Sequence, residues 1–428
     1  MDFDDTAEES TFREEVRGFL QAHAQLKGST AAQGSRDVGV DELTSARVWQ
    51  ALKAKAGLAG VTLPKALGGR GAPPIMQVIY AQEEAKYAVP TGVFEIGLGM
   101  CIPTVIKYAD QAISSRVVPA ALRGDEIWCQ LFSEPASGSD LAALRTRGER
   151  NGEAWLVNGQ KIWTSGAHVS DWGLLLLRTD PKVPKHDGLT MFFVDMKSAG
   201  IECRPIREMS GASYFNEVFF TDVRVPDANR LGPVGSGWRV ALTTLMNERL
   251  TGSGIPRRPD VTDLLNLTRL LTIAGAPASR DGGVRERIAH WYVRFKGVQL
   301  TQFRTMTALS RGHEPGPENS IGKLVNAAMA QEIASYGLDL MGAAGGIADA
   351  DVAPLHALFQ ERYLSSPGFR IGGGTDEILR NIIAERVLKM PGDVRLDKGV
   401  PFNEIRVGSQ FSSTGGAGSG WVDDILQS

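Results

Sequence analysis

The sequence predicts an α+β protein of several domains. A helical N-terminal domain is expected over residues 1–125, a middle antiparallel β-barrel or sandwich over 126–233, a C-terminal four-helix bundle over 234–392, and a flexible tail over 393–428. Three observations predict this. Apolar residues recur with a helical period in the first part, the period shortens to two from Trp128, and the helical period returns after Gly237. The chain has 428 residues, 43% of them hydrophobic, enough for about three units at roughly 150 residues each and for a large core.

In chain order, Phe12, Val16, Phe19 and Leu20 share one helix face, and Thr11 with Glu14 reads as its capping box. The Gly/Pro-rich LPKALGGRGAPP, near residues 63–74, breaks the pattern as a loop. Helices resume through VIYAQEEAKYA and IPTVIKYA. In the middle region two Asn-Gly dipeptides, Asn151-Gly152 and Asn158-Gly159, read as hairpin turns, because both residue types tolerate positive φ. Strands are expected at Gly173 to Leu177, Met191 to Val194 and Val218 to Phe220, parted by turns at Lys185 to Gly188 and Ser198 to Gly200. C-terminal helices are expected from Trp238 to Leu250, Arg285 to Ser310, Ser320 to Leu340, Ala353 to Tyr363 and Thr375 to Met390. The closing SSTGGAGSG has the composition of a flexible linker.

Composition narrows the function. A net charge of -3 gives no footprint for nucleic acid. No apolar run reaches the roughly 18 residues of a membrane span. The acidic start, MDFDDTAEES, is unlike a secretory or transit peptide. Cys101, Cys129 and Cys203 are far apart and read as reduced packing cysteines, so a cytoplasmic location is expected. The six histidines lack metal spacing, and no metal site is expected. GxGxxG, GxxxxGK[ST], GxSxG and HExxH are all absent, which removes the usual dinucleotide, P-loop, hydrolase and zinc readings.

Two segments carry chemistry. In LFSEPASGSD, residues 131–140, a strand runs into a small-residue turn whose N–H groups and hydroxyls suit a phosphate or a flavin edge. In KIWTSG, residues 161–166, an aromatic plane stands beside two hydroxyls and a glycine, a surface for a ring cofactor. Taken singly, each also reads as an ordinary turn or a core tryptophan. Together and in this order, SEPASGSD and GQKIWTSG resemble the paired signatures of the acyl-CoA dehydrogenase family. The closing GGGTDEILRNIIAERVL resembles the family's final signature, E-G-T-x-x-I-x-R with an I-x-x-R-x-L-like stretch after it. The resemblance covers residues 1 to about 392.

The resemblance implies a flavoenzyme with FAD between the β-domain and the C-terminal helices. Gln130, Phe132 and Ser133 would contact the flavin ring, with Trp163, Thr164 and Ser165 on its other edge and Ser165 near N5. Thr375 and Glu377 would lie toward the ribityl and diphosphate end, and Ser139 toward the pantetheine or phosphates of an acyl-CoA substrate. It also implies an electron-transfer flavoprotein as acceptor. The expected assembly is a homotetramer or dimer, or a heterotetramer with a related subunit.

In many members the glutamate of E-G-T removes the α-proton. By register that place is Gly373 here, so the base must come from elsewhere. Asp376 and Glu377 instead sit in a first helical turn, where acids favour the positive end of the dipole. A subset of the family, isovaleryl- and long-chain-like, carries the base on an earlier helix, at a position matching Glu248 in LMNERL. Helical spacing puts Glu248 on a stripe with Ala241 and Leu245, an apolar setting that raises a carboxylate pKa. Arg249 would support the pocket. The reaction implied is α,β-dehydrogenation of a thioester to the trans-2-enoyl-CoA.

Three departures from the family pattern stand out. The R-x-x-F-G-…-Q segment, which reaches a neighbour's FAD, is replaced by TIAGAPASRDGG. A family glutamine before the LMGAAGG turn is Asp339. Gly252 and Gly254 after Glu248 either widen the pocket for a branched or polycyclic acyl chain or end the helix. The alternatives carried alongside are a flavin oxidase or monooxygenase on the same fold, and a non-catalytic subunit of a heteromer.

Overall fold

The computed structural model describes residues 5–27, 39–90, 92–251, 259–311 and 316–405, with the side chains of 248–251 and 309–310 outside the description. The N-terminal domain is built from helices α1 (Ala7–His23), α2 (Val40–Lys55), α3 (Pro74–Glu84), α4 (Gly92–Ile96), α5 (Ile102–Tyr108) and α6 (Gln111–Arg123), with a π-helical turn, Gly97–Cys101, joining α4 to α5. Two short strands, β1 (Gln25–Leu26) and β2 (Tyr87–Ala88), pair antiparallel. Phe12, Val16 and Leu20 are buried as their spacing predicts. The capping box is Thr6 with Glu9, not Thr11 with Glu14. Both pairs satisfy the S/T-x-x-E pattern, but capping at Thr6 lets the helix begin sooner. Thr11 is then interior and gives its hydroxyl to Ala7 O at 2.8 Å.

The middle domain is one eight-stranded sheet. Its strands are β3 (Trp128–Leu131), β4 (Arg147–Asn151), β5 (Ala154–Ser165), β6 (Trp172–Arg178), β7 (Leu189–Asp195), β8 (Ile201–Pro205), β9 (Phe215–Pro226) and β10 (Arg230–Leu231). The order is β10-β7-β6-β4-β5-β9-β8, with β3 also on β6. The sheet is largely antiparallel; β3 runs parallel to β6, and β4 meets β6 parallel at its end. The hairpin expected at Asn151-Gly152 is present, but its two loop residues are Gly152, at φ 64, and Glu153; Asn151 ends β4 and pairs with Ala154. Asn158-Gly159 is not a turn: it lies inside β5. A Cβ on Gly159 would sit 2.6 Å from the Thr146 Cα, so this glycine serves the close approach of the segment leading into β4. Asn158 pairs its amide with Asp222 across a bulge, donating to Oδ1 at 2.9 Å and accepting from the Asp222 N–H at 3.0 Å.

The C-terminal domain carries α7 (Gly237–Thr251), α8 (Val261–Leu270), α9 (Gly282–Ser310), α10 (Ser320–Met341), α11 (Leu358–Ile371) and α12 (Asp376–Ile382). Helix α8 was not expected. It is short, opens on a capping box of Asp260 and Asp263, and holds its place by burying Leu264 and Leu267. TIAGAPASRDGG forms the hairpin of β11 (Thr272–Ile273) and β12 (Ala276–Pro277), then a 3-10 turn. The helix expected at Ala353 to Tyr363 begins later and runs through Pro367 to Ile371. The last expected helix is α12 followed by a π-helical turn, Ile383–Val387.

Strands β6 and β7 are buried on both faces, and so read as continuous apolar runs. One face holds Leu175, Leu177, Phe192 and Val194 against Val218 and Phe220. The other packs Leu174, Leu176, Met191 and Phe193 into a cluster with Ile102 and Val105 of α5, Val117 of α6, and Val240 and Ala241 of α7. No helix among the described residues is long and apolar enough to cross a membrane.

Candidate active site

The SEP and KIW segments lie more than twenty positions apart in sequence and are joined in space. The Ile162 N–H donates to Ser133 O at 2.9 Å. Lys161, fully buried, donates from Nζ to Phe132 O at 3.0 Å and pairs with Glu134 Oε1 at 2.8 Å. Glu134 accepts in addition from the N–H groups of Arg145 (2.6 Å) and Thr146 (2.9 Å). Burial alone would raise the Glu134 pKa; the Lys161 charge and these hydrogen bonds outweigh it and hold the carboxylate ionised below its usual range. Desolvation lowers the Lys161 pKa, opposed by the same carboxylate. Neither residue was singled out as functional in the sequence, and no local pattern marks a pair 27 positions apart.

This pair sets the geometry of the residues around it. Gln130 is half-buried on β3, Phe132 is buried, and Ser133 is half-buried just beyond the strand. The chain then folds into a tight turn in which Glu134 and Ser137 exchange main-chain hydrogen bonds at 2.9 and 3.0 Å. At the end of β5, Trp163 adopts φ 59, a region that costs a bulky residue on the order of 1–3 kcal/mol. It stands 56% exposed, with Phe215 edge-on at 6.1 Å. The strain coincides with a register shift between β5 and β9 that turns the ring outward. Thr164 points inward, and its Oγ1 has no hydrogen-bond partner among the described residues; the same holds for Ser137 Oγ. Ser165 is half-buried. Asn216, fully buried and also not anticipated, fixes this strand end by donating to Thr164 O (3.0 Å) and Tyr214 O (3.1 Å). An outward aromatic face beside the half-buried Ser165 fits a planar ring cofactor with a polar edge.

The triple-glycine turn lies on the C-terminal domain. Gly373 and Gly374 take φ 66 and 89, conformations that glycine reaches without a Cβ clash. Two cations hold the turn. Lys323 donates to Gly374 O, and Arg370 binds the buried Asp376 through Nε at 2.7 Å and Nη2 at 2.6 Å. Thr375 is the N-cap of α12, accepting from the Ile378 N–H at 3.2 Å, and Glu377 lies exposed in the first turn. Asp339, at the foot of α10, is exposed.

The backbone of Glu248 and Arg249 belongs to α7; their side chains, and Gly252 and Gly254, lie outside the described residues. Helix α7 itself is firmly seated. A Cβ on Gly237 would come within 2.6 Å of the Leu189 and Thr190 main chain, so the helix starts in contact with β7. Its middle is bridged to α5 by Thr104···Thr244 and Tyr108···Thr243, both at 2.9 Å. Ser139 is exposed, next to Asp140, which pairs with Lys185 at 2.7 Å. No group of three or more His, Cys, Asp or Glu able to hold a metal occurs among the described residues.

Comparison with known proteins matches residues 6–125 to the acyl-CoA dehydrogenase N-terminal domain, 129–223 to its middle domain and 235–388 to its C-terminal domain. Acyl-CoA dehydrogenase FadE34 of Mycobacterium tuberculosis is 38% identical over 326 residues, covering 76% of this chain but only 43% of FadE34. Acyl-CoA dehydrogenase IpdE1 of the same organism is 34% identical over 393 residues, 90% of this chain and 98% of that protein. Among solved structures, the Tcur3481-Tcur3483 steroid ACAD superposes with a TM-score of 0.78 at 26% identity, covering 92% of this chain and 100% of that one.

Proposed function

This chain belongs to the acyl-CoA dehydrogenase family, and from that premise we propose that it is an FAD-dependent enzyme converting an acyl-CoA thioester to the trans-2-enoyl-CoA, with Glu248 as base. The observation that carries the reading is the joining of the SEP turn to the KIW strand end by the buried Lys161–Glu134 pair, beside which Trp163 stands exposed. Trp163 would lie against the flavin, with Thr164 and Ser165 at one edge and Gln130, Phe132 and Ser133 at the other. Thr375 and Glu377 would face its ribityl and phosphate end. Bound there, FAD supplies the two-electron acceptor for the β-hydride.

The remaining work falls to the chain. A thioester α-proton is weakly acidic, so the developing enolate oxygen needs donors fixed in advance. The main-chain N–H of Gly373 is one, carried close by a turn that has no side chain. Glu248 takes the α-proton from α7, whose seating on β7 and α5 supports a fixed approach. Arg249 would line the pocket and Ser139 would receive the pantetheine arm. A positioned base contributes about 10²–10⁴-fold. Glu248→Gln is therefore expected to keep FAD while anaerobic flavin reduction slows by at least about 10²-fold. Reduction at the wild-type rate would remove Glu248 from the mechanism.

For substrate and assembly, we propose a bulky, ring-containing acyl group and a related second subunit. The first rests on the steroid ACAD likeness. The second rests on the paired name of that protein and on FadE34 being more than twice the matched length. An electron-transfer flavoprotein is the proposed acceptor. Two tests suffice: whether the purified chain is yellow alone or only when co-expressed with a related subunit, and which of a panel of straight-chain and steroid-derived acyl-CoAs bleaches the flavin band.

A further inference from the structure

Of the tail expected over 393–428, residues 406–428 lie outside the described residues, and the part before them does not leave the molecule. Residues 393–405 return to the β-domain and lie along the loop between β6 and β7. The Phe402 N–H donates to Val183 O and the Asn403 N–H to Pro181 O, both at 2.9 Å. The Phe402 ring covers the Arg178 guanidinium, 3.5 Å from its centroid. Arg178 is buried and donates to three carbonyls: Ala142 O at 2.6 Å, Leu144 O at 3.1 Å and Lys185 O at 3.2 Å. It has no carboxylate partner among the described residues, and burial pushes its pKa down to about 10. The aromatic face adds to those carbonyls and to the more distant attraction of Glu134, Asp140 and Asp180. Earlier in the strap, Asp397 pairs with Lys185, the same ammonium that binds Asp140 at 2.7 Å.

Two cations therefore reach from the strap to one short segment, residues 140–144, which directly follows Ser139. We propose that the strap is part of the substrate site. Through Arg178 and Lys185 it fixes the turn that offers Ser139 to the phosphopantetheine and nucleotide arm of the acyl-CoA. Phe402 and Asp397 are positioning residues. Without the Phe402 ring, water competes for the guanidinium and loosens its hold on the Ala142 and Leu144 carbonyls. Without Asp397, the Lys185 ammonium is no longer held between the strap and Asp140, so the strap loses its ionic tie to the turn. This inference rests on the reading of Ser139 given above.

The test uses the FAD-loaded enzyme and stopped-flow reduction by the best acyl-CoA of the panel. In Phe402→Ala and in Asp397→Asn the apparent Kd for acyl-CoA should rise by about tenfold. The limiting reduction rate, FAD content and melting temperature should stay near wild type, and Phe402→Tyr should restore the Kd. An unchanged Kd in both variants overturns the proposal. So does a joint loss of affinity, limiting rate and FAD content, which would mark the strap as a general prop of the fold. Failure of every acyl-CoA to reduce the wild-type flavin would instead refute the underlying reading, and this inference with it.

Discussion

A lysine with no exposed surface is tolerated only if its charge is matched, and at Lys161 the match is Glu134. Lys161→Met would leave that carboxylate buried and unpaired, at a cost of about 3–5 kcal/mol. Urea unfolding should show the loss, and FAD should be shed on gel filtration, because the SEP and KIW segments are no longer drawn together. Lys161→Met combined with Glu134→Gln should recover part of the stability, since no lone charge remains. The sequence displayed both residues inside recognisable motifs and yet hid their pairing. A strand pattern records which side a residue faces, not which distant residue it meets. The same limit applies to Asn216, whose hydrogen bonds to Thr164 and Tyr214 no spacing announces. Trp163 was legible as an aromatic beside hydroxyls, but its left-handed backbone was not, because that conformation arises from a register shift between two strands.

Elements were legible where burial leaves a regular mark, one face of a helix or both faces of a strand. The buried stripe of α1 and the strands β6 and β7 lie where periodicity and apolar runs put them. Dipeptide signals fared less evenly: a hairpin follows Asn151, with its turn at Gly152-Glu153, whereas Asn158-Gly159 continues a strand because β9 is paired along it. Between α1 and α3, stability depends on Glu83, 2% exposed, which binds Arg13 at 2.9 Å, Arg17 at 3.1 Å and Lys86 at 2.6 Å. Burial alone would raise its pKa, but these three cations together hold it at about 2, below the ordinary 4.5. A depressed carboxylate contributes its full stability above its unfolded value and loses it as pH falls toward the folded value. Wild-type urea midpoints should therefore drop between about pH 4.5 and 2 more steeply than those of Glu83→Gln. At neutral pH the variant should be less stable by about 1.5–3 kcal/mol.

At the scale of the whole molecule, the helix–sheet–helix order was legible from the two changes of period. The parallel pairing of β3 with β6 was not, since such pairing depends on a crossover that leaves no local mark. Nor was the docking of residues 393–405, whose polar composition gave no hint that Phe402 would cover a guanidinium. The cluster joining α5 and α6 to β3, β6, β7 and α7 crosses both boundaries drawn from the sequence, near 126 and 234. Cutting there would strip one face of the sheet and expose Leu174, Leu176, Met191 and Phe193 to water. A fragment spanning 126–233 should therefore aggregate or bind a hydrophobic dye, while the intact chain should lose its sheet and its α5–α7 contacts in a single calorimetric transition. Segments that look like exchangeable modules on paper would then be inseparable in practice. Chimeras made by swapping the middle segment between relatives should fail unless the α5 and α7 side chains that fill its inner face are exchanged along with it.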